Sequence, residues 1–441
     1  MKKVKAFPRI DGNIGWYDIS PHKGKIKGET LTGNHIYDFT VIGAGFTGVA
    51  TARRLAELHP NAKIALVDAL KIGQGASGRN SGMLIDIPIS RIENPKEFDC
   101  QRESASHSLN KFAINRMKDT LDEHNIDAHW TQSGRYLAAR EADNYHRIDN
   151  FIAVLKQLGE PHEVLSQSQL TKNLGTEFYN KAVYTPNSIL VNPASLIMGL
   201  ASVLPKNIRV YENSPLRSMS LEGEKGLWFD KGKIKTDKII FATNAFNEAT
   251  HVSKNRLAPM FTYASLTRVL TSKELKGFNG VMDCGYGVSS AHAAGTSLRF
   301  TCDNRILIRN TVRASLKGNQ AFYDKALKRH RSAFINRFPQ LKQVPFEYTW
   351  GGNICMTLNH NNEFHESHPG VYSVAGMNAT GIVKGTYLGY YMAEYINGNN
   401  SPELDYILDH SQPSWVPPEP LRTIGAAASL YSIERKAGIE M

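Results

Sequence analysis

Apolar residues follow two rhythms along this chain, and the first change between them marks a folded unit. Tyr37-Asp38-Phe39-Thr40-Val41-Ile42 is a short apolar run of strand character. From Phe46 to Leu58 the period becomes helical, with Val49, Ala52, Leu55 and Ala56 on one stripe. Lys63 to Val67 is a second strand, ending on Asp68. Between the first strand and the helix stands Gly43-Ala44-Gly45-Phe46-Thr47-Gly48. In this G-x-G-x-x-G turn Gly43 permits the tight bend, Gly45 lets a pyrophosphate meet bare backbone, and Gly48 lets the helix lie close on the strand. The helix N-terminus then offers free N–H groups to phosphate. Asp68, about 20 residues beyond Gly48, is placed to accept hydrogen bonds from a ribose hydroxyl. Strand, turn, helix and acid together predict dinucleotide binding.

The rest of the chain is less regular. Residues 1–36 lack periodicity and read as an extended arm over the body, with Phe7, Trp16 and Tyr17 as anchors. Gly73 to Gly82 is glycine-rich and polar, a second place where main-chain N–H groups are free to meet phosphate or a heterocycle. Helices are predicted over Pro95–Asn125, Arg147–Leu158 and Ser166–Leu174, with strands from Trp130 to Ala139. Another helix opens at Pro193, capped by Asn192. Val210 to Ile240 alternates like an antiparallel meander, and Ala264–Leu270, Ser297–Cys302 and Arg305–Asn310 read as strands of a second sheet. Tyr348–Thr357 and Tyr372–Gly376 are strands, and Ile382–Ile396 is a helix whose N-terminus would face a cofactor oxygen.

Size and charge refine this picture. A chain of 441 residues exceeds one core and predicts two domains. Its hydrophobic fraction of 41% and charged fraction of 21% are those of a globular protein, and no apolar run reaches membrane-span length. No signal peptide is read at the basic N-terminus, and four scattered cysteines suit a reducing cytoplasm, so a cytoplasmic location is expected. No metal site is predicted; His292, His360, His365 and His368 lie in polar sequence without an ordered ligand set. The net charge of +11 favours acidic substrates. The basic stretch Lys325–Lys342, with Lys328, Arg329, Arg331 and Arg337, reads as an amphipathic helix with a solvated basic face, and Phe338 as core.

Segments at the start (VIGAGFTGVATARRLAE, then VDALKIGQGASGRNSGML), the middle (LVNPASLIMGLAS and IIFATNAF) and the end (YSVAGMNATGIVKGTYLGYYMAEYI) resemble FAD-dependent oxidoreductases of the D-amino-acid-oxidase superfamily. Trp350 to Leu358 and Ile424 to Arg435 look like the branch that includes gamma-glutamylputrescine oxidase and L-pipecolate oxidase. The resemblance implies an α/β plus α+β architecture: a discontinuous Rossmann-like FAD-binding domain and a substrate domain on a mainly antiparallel sheet. We place the arm at 1–36, the FAD-binding domain at 37–94, 190–256 and 346–400, the substrate domain at 95–189 and 257–345, and a tail at 401–441. It also implies that a small amine or amino acid gives a hydride to flavin N5 and that the imine is then hydrolysed, with O2 taking the electrons. No catalytic side chain is nominated.

By likeness of position, Gly43, Gly45, Phe46, Thr47, Gly48 and Asp68 hold the ADP half of FAD, and Ala76, Ser77, Arg79, Asn80, Ser81 and Gly82 run along the pyrophosphate and the ring. Thr243 and Asn244 close the adenine side, while Gly376, Thr380, Gly381 and Ile382 face the flavin carbonyls. Substrate contacts are sought at Tyr263, Arg268, Tyr286, Arg309 and Lys384. Asn378-Ala379-Thr380-Gly381 departs from the Ser-Gly-His-Gly of many relatives. Cys355 lies near the position of covalent flavin attachment in sarcosine-oxidase relatives, but this branch implies non-covalent FAD. Three other readings make different predictions. A taurine-dehydrogenase-like enzyme would pass electrons to a carrier rather than O2. A tRNA-associated flavoprotein would need a basic face beside the cleft, and no nucleic-acid partner is expected. A non-catalytic flavin protein would bind FAD that no amine reduces.

Overall fold

The first change of rhythm is realised as strand Gly33–Ile42, helix Phe46–Leu58 and strand Ile64–Val67. The computed structural model describes residues 1–10, 12–87, 99–276, 278 and 285–441; the boundary drawn between 94 and 95, the start of the helix read from Pro95, and Cys284 lie outside them. Among the described residues a nine-stranded sheet has a parallel centre, in which Ile208–Tyr211, Ile64–Val67, Gly33–Ile42, Gly232–Phe241 and Val371–Ala375 lie side by side. Ile64–Val67 and Val371–Ala375 are buried throughout, as expected of parallel strands covered on both faces. Ser218–Ser220, Gly226–Trp228 and Gly232–Phe241 form the expected antiparallel meander at one side.

The two ends of the chain meet at a helix pair. Gly381–Ile396 lies against Phe46–Leu58 closely enough that a Cβ on Gly389 would come within 2.2 Å of the Thr47 carbonyl oxygen. The Thr51 hydroxyl sits 2.9 Å from the Thr47 carbonyl and 3.0 Å from that of Gly389, joining the two helices by one proton.

Among the described residues the second sheet has eight strands, in the order Phe346–Met356, Ala258–Thr267, Ile306–Ala314, Ser297–Phe300, Tyr286–Ser290, Arg135–Ala139, Lys181–Thr185 and Glu163–Ser166. It is antiparallel except where Tyr286–Ser290 runs parallel to Arg135–Ala139. Its core includes Leu170, Phe278, Phe300, Phe334 and Phe338.

Several segments sit elsewhere than the sequence suggests. Phe346–Met356 pairs along its length with Ala258–Thr267, so these residues belong to the second sheet rather than to the 346–400 segment. Helix Cys100–Glu123 packs on the first unit: Leu109, Ala113 and Met117 share a core with Val49 and Leu55, and Phe112 meets Tyr390 at 4.9 Å. The basic helix, Gln320–Arg337, is not basic on a solvated face alone. Arg337 is 1% exposed, lies 4.0 Å from the Phe178 ring centroid, and donates to the Tyr179 hydroxyl and the Glu440 carbonyl. Arg329 pairs with Glu434 at 2.9 Å. The 401–441 stretch is likewise built in. Leu404 and Ile407 enter the first core, while the buried Glu440 carboxylate accepts from the Arg140 and Glu141 N–H groups.

Glu440→Ala removes the acceptor for two backbone donors in a buried site, which costs about 1–3 kcal/mol. A lower thermal unfolding midpoint is expected; an unchanged midpoint would mean that water replaces the carboxylate without loss.

Candidate functional site

The glycine turn is braced through its own N–H groups: Gly43 donates to the Val67 carbonyl, Ala44 to the Asp68 carboxylate and Phe46 to the Ser77 hydroxyl. Gly45, extended at φ −80 and ψ −173, is the N-cap of the Phe46–Leu58 helix and has no side chain of its own to cap it. A Cβ on Gly48 would fall 1.7 Å from the Gly43 carbonyl oxygen, so this position admits only glycine and holds the helix tight to the strand. Gly43 itself has φ 103. Asp68 completes the turn: one carboxylate oxygen accepts from the Ala44 N–H and the other from the Leu70 N–H, both at 2.8 Å. Burial pushes this carboxyl up from its ordinary range, against the pull of the Leu70, Ala44 and Ala69 N–H groups.

The second glycine loop folds as a short 3-10 turn, Ala76–Gly78, laid against the first. The Ser77 hydroxyl accepts from the Phe46 N–H at 3.1 Å. Much of the loop's polarity is spent on holding it in place. Arg79 donates to the Gln74 and Gly351 carbonyls, and the Trp350 indole donates to the Arg79 carbonyl. The Asn80 amide group accepts from the Gly82 N–H and donates to the Ser77 carbonyl, while the Asn80 main-chain carbonyl accepts from Trp16. Arg299, 2% exposed, reaches across from the second sheet to donate to the Ser81, Gly82 and Val191 carbonyls. Its guanidinium lies 4.9 Å from the Trp16 ring centroid, and burial lowers its pKa to about 10. Trp16 is thus an anchor of the arm, and Arg299 is a positioning residue that no local motif announces.

The C-terminal side closes the site. Asn244, at φ 49, accepts from the Gly376 N–H at 3.1 Å, tying the middle segment to the last. Asn247 accepts from Thr243 and donates to Ser373, with the buried Glu363 carboxylate behind it. Asn378 and Ala379 are both left-handed, at φ 50 and φ 65. Asn378 suits that conformation, since its amide oxygen accepts from the Thr357 N–H and its NH2 donates to the Gly376 and His360 carbonyls. Ala379 has no such compensation within its own side chain. Thr380 is the N-cap of Gly381–Ile396, but its hydroxyl donates back to the Met377 carbonyl, leaving this helix N-terminus open.

These parts surround one cleft. Gly43, Gly45, Phe46, Thr47, Asp68, Ala76, Ser77, Arg79, Asn80, Ser81, Thr243, Asn244, Thr380, Gly381 and Ile382 all line it. Gly48, Gly82 and Gly376 do not; they shape the backbone behind it. Gly351 to Cys355, Phe261, Met83, Ile85 and Met377 line the end nearest the second sheet, and residues of the arm line the other. The glycine pair Gly351-Gly352 was the available signal for the former: a Cβ on Gly352 would come 3.1 Å from Arg79 Cβ.

The substrate candidates separate. Tyr263 packs with Phe261 and Tyr323 beneath the Gln320–Arg337 helix, away from the cleft. Arg268 is committed to Glu274 at 2.7 Å near the surface. Tyr286 is buried in the second core and donates to the Leu174 carbonyl at 2.7 Å. These three do not meet the cleft because strand alternation or an existing partner turns them aside. Lys384 lies in the first turn of Gly381–Ile396 and does not line the cleft. Arg309 stands in register with Ala264, which in turn faces Trp350, on the side of the sheet turned toward the first unit. Like Lys384 it does not line the cleft; it has neither a hydrogen-bond nor an ion-pair partner among the described residues, and burial lowers its pKa. Asp86, His107 and Glu160 could together hold a metal ion, but Glu160 already pairs with His107 at 2.7 Å and Lys111 at 2.8 Å.

Comparison with known proteins gives consistent findings. Residues 38–395 match the family model described as FAD dependent oxidoreductase. The chain is 25% identical to the gamma-glutamylputrescine oxidoreductase of Escherichia coli over 389 residues, covering 84% of this chain and 86% of that one. It is also 25% identical to the probable oxidoreductase OrdL of Haemophilus influenzae over 380 residues, covering 82% and 83%. Among solved structures, glycine oxidase from Geobacillus kaustophilus superposes with a TM-score of 0.69 at 18% identity, covering 83% of this chain and 96% of that one. At that identity the likeness is one of fold.

The residues present fit FAD. The backbone of Gly45 to Thr47, two helix N-termini (the first with the Ser77 hydroxyl on its Phe46 N–H) and a strand-end carboxylate line one cleft, each matched to a group the cofactor carries. Ala379 carries a strain of about 1–2 kcal/mol in its left-handed conformation. Ala379→Gly is expected to raise the urea midpoint of unfolding, and a lower midpoint would show that the Cβ contributes more by packing than it costs by strain.

Proposed function

Because the chain belongs to the family of FAD-dependent oxidoreductases, we propose that it oxidises a small amine or amino acid at the carbon beside nitrogen, with O2 as electron acceptor. The observation that carries this reading is one continuous cleft, lined at one end by the glycine turn and Asp68 and at the other by the second sheet. Bound FAD would supply the hydride acceptor. The chain's own residues bind, orient and exclude water. Gly45, Phe46 and Thr47 would take the pyrophosphate, and Asp68 a ribose hydroxyl. The N-terminus of Gly381–Ile396 would favour negative charge at the opposite end.

Substrate chemistry follows from the lining beside the second sheet. Met83, Ile85, Phe261, Ile354 and Met377 are apolar, and such a surface disfavours an ammonium ion over the neutral amine needed for hydride loss. Arg309 does not itself line the cleft; it lies two strands from Trp350, about 10 Å in strand spacings, and would meet only a substrate long enough to project past Gly351 and Gly352. Its uncommitted guanidinium would hold a carboxylate on the substrate. The gamma-glutamylputrescine named in one relative carries both an amine and a carboxylate, and this agrees with such a pairing.

FAD is proposed to be held non-covalently. Cys355 lines the cleft, but burial, reinforced by the nearby Glu363 carboxylate, pushes its thiol up, so little thiolate exists to form a bond. Acid precipitation should leave the yellow colour in the supernatant; colour in the pellet would show a covalent link.

An anaerobic screen of amines and amino acids should find one that bleaches the flavin's visible band, with peroxide formed when air is admitted. Bleaching without peroxide would point to another acceptor, and no bleaching by any amine would end the proposal. With the substrate in hand, Arg309→Met should raise KM about 100-fold for the carboxylate-bearing form, the scale of losing a charge-assisted pair, while kcat falls less.

A further inference from the structure

We propose that the N-terminal segment Val4–Arg9 is itself part of the cofactor site, walling the adenosine end of the cleft with Phe7 presenting its ring to the adenine. The inference rests on the FAD reading above. Val4, Ala6, Phe7, Pro8 and Arg9 line the same cleft as the glycine turn, whereas the intervening Lys5 is exposed and does not. Inward and outward positions alternate from Val4 to Ala6, as in an extended strand, and from Ala6 to Arg9 every residue borders the cleft.

The segment is fastened where it lies. Lys2 and Lys3 pair with Met219 and Ser218 as an added edge strand of the first sheet. The Val4 N–H donates to the Arg217 carbonyl at 2.9 Å, and the Lys5 N–H to the Ala249 carbonyl at 3.1 Å. The His251 ring nitrogen lies 2.8 Å from the Lys3 carbonyl. Phe7 is held from outside: the Arg217 guanidinium is 4.6 Å from its ring centroid, and Asp230 fixes that guanidinium with contacts of 2.6 and 2.8 Å. One face of the ring is thus occupied by a cation, and the ring itself borders the cleft.

The end it covers is identified by its surroundings. Asp68, Ser214 and Leu216 line this part of the cleft, and Asp68 is the carboxylate placed for a ribose. An adenine on that ribose needs an aromatic or apolar surface, and Phe7 provides one. Arg9 and Lys71, both on the cleft wall, put positive charge near the phosphates. The family match starts at residue 38, so Val4–Arg9 lie outside the matched residues.

The test compares FAD release from the full chain, from the chain lacking residues 2–9, and from Phe7→Ala and Arg9→Ala. Release is read as the rise in flavin fluorescence after dilution, with the apoprotein unfolding midpoint measured alongside. Phe7→Ala should release FAD about tenfold faster, the effect of losing one base–aromatic stack. The deletion should release it faster still, and Arg9→Ala should show a smaller loss that fades at high salt. Release from Phe7→Ala at the full-length rate overturns the proposal, whether or not the deletion folds. Slower release from the deletion also overturns it, because the arm would then compete with the cofactor. A full chain that takes up no FAD ends the underlying reading, and this shows before any variant is compared.

Discussion

The contact on which the fold depends is the approach of one helix to backbone on two sides. Phe46–Leu58 meets the Gly43 carbonyl through Gly48 and meets Gly381–Ile396 through Gly385 and Gly389. At each of these points a methyl group would overlap backbone or the Thr47 side chain, so the distance between layers is set by the absence of side chains. That distance aims two helix N-termini into one cleft. The positive ends of both dipoles thus point into the same space, and the only side chain recorded at the first of them is Ser77, whose hydroxyl accepts from the Phe46 N–H. The family's chemistry needs this arrangement more than it needs any particular acid or base, because the reactive group is brought in by the cofactor.

Around that contact, polar side chains mostly serve as struts. Arg79, Asn80, Arg299 and Asn247 engage main-chain carbonyls or neighbouring amides, and in doing so they fix loops that would otherwise be loose. Arg299 shows why such residues matter. It comes from the second sheet yet binds Ser81, Gly82 and Val191, so the two units are joined at the segment beneath the cleft. Three carbonyls around one guanidinium give a rigid seam, and the cost of burying the charge is reduced by Trp16 beneath it.

The first unit was legible because its signals are local. A glycine that cannot be replaced, a stripe of apolar residues and an acid at a strand end all lie within one short stretch, and helix Phe46–Leu58 begins and ends where its pattern does. Asn192 was likewise readable as a cap, and its side chain accepts from Ala194 and Ser195. The second sheet was legible as strands but not as faces. Tyr263 and Arg309 lie on strands that pair with each other, yet one faces the Gln320–Arg337 helix and the other the first unit, and a bulge between Tyr263 and Ala264 separates their registers. Register is set by partners distant in sequence, so no window around either residue contains it. Arg337 misled for a similar reason. Its helical spacing with other cations suggested solvent, while its partners, Tyr179 and Glu440, come from elsewhere in the chain. Arg299 was hidden because its role is to touch backbone, which leaves no pattern in side-chain chemistry.

The pairing of Phe46–Leu58 with Gly381–Ile396 has a consequence for how the polypeptide is made. Synthesis runs from the N-terminus, so the first βαβ unit emerges from the ribosome long before the helix that covers it. Until Gly389 arrives, the Thr47 side of that early helix has no neighbour, and the apolar surface meant for Tyr387, Leu388 and Met392 is bare. Loop closure over so many residues is slow, and the nascent unit is exposed to wrong partners while it waits. A chain interrupted shortly before Gly381 would therefore hold every residue of the dinucleotide motif and still lack a finished nucleotide fold.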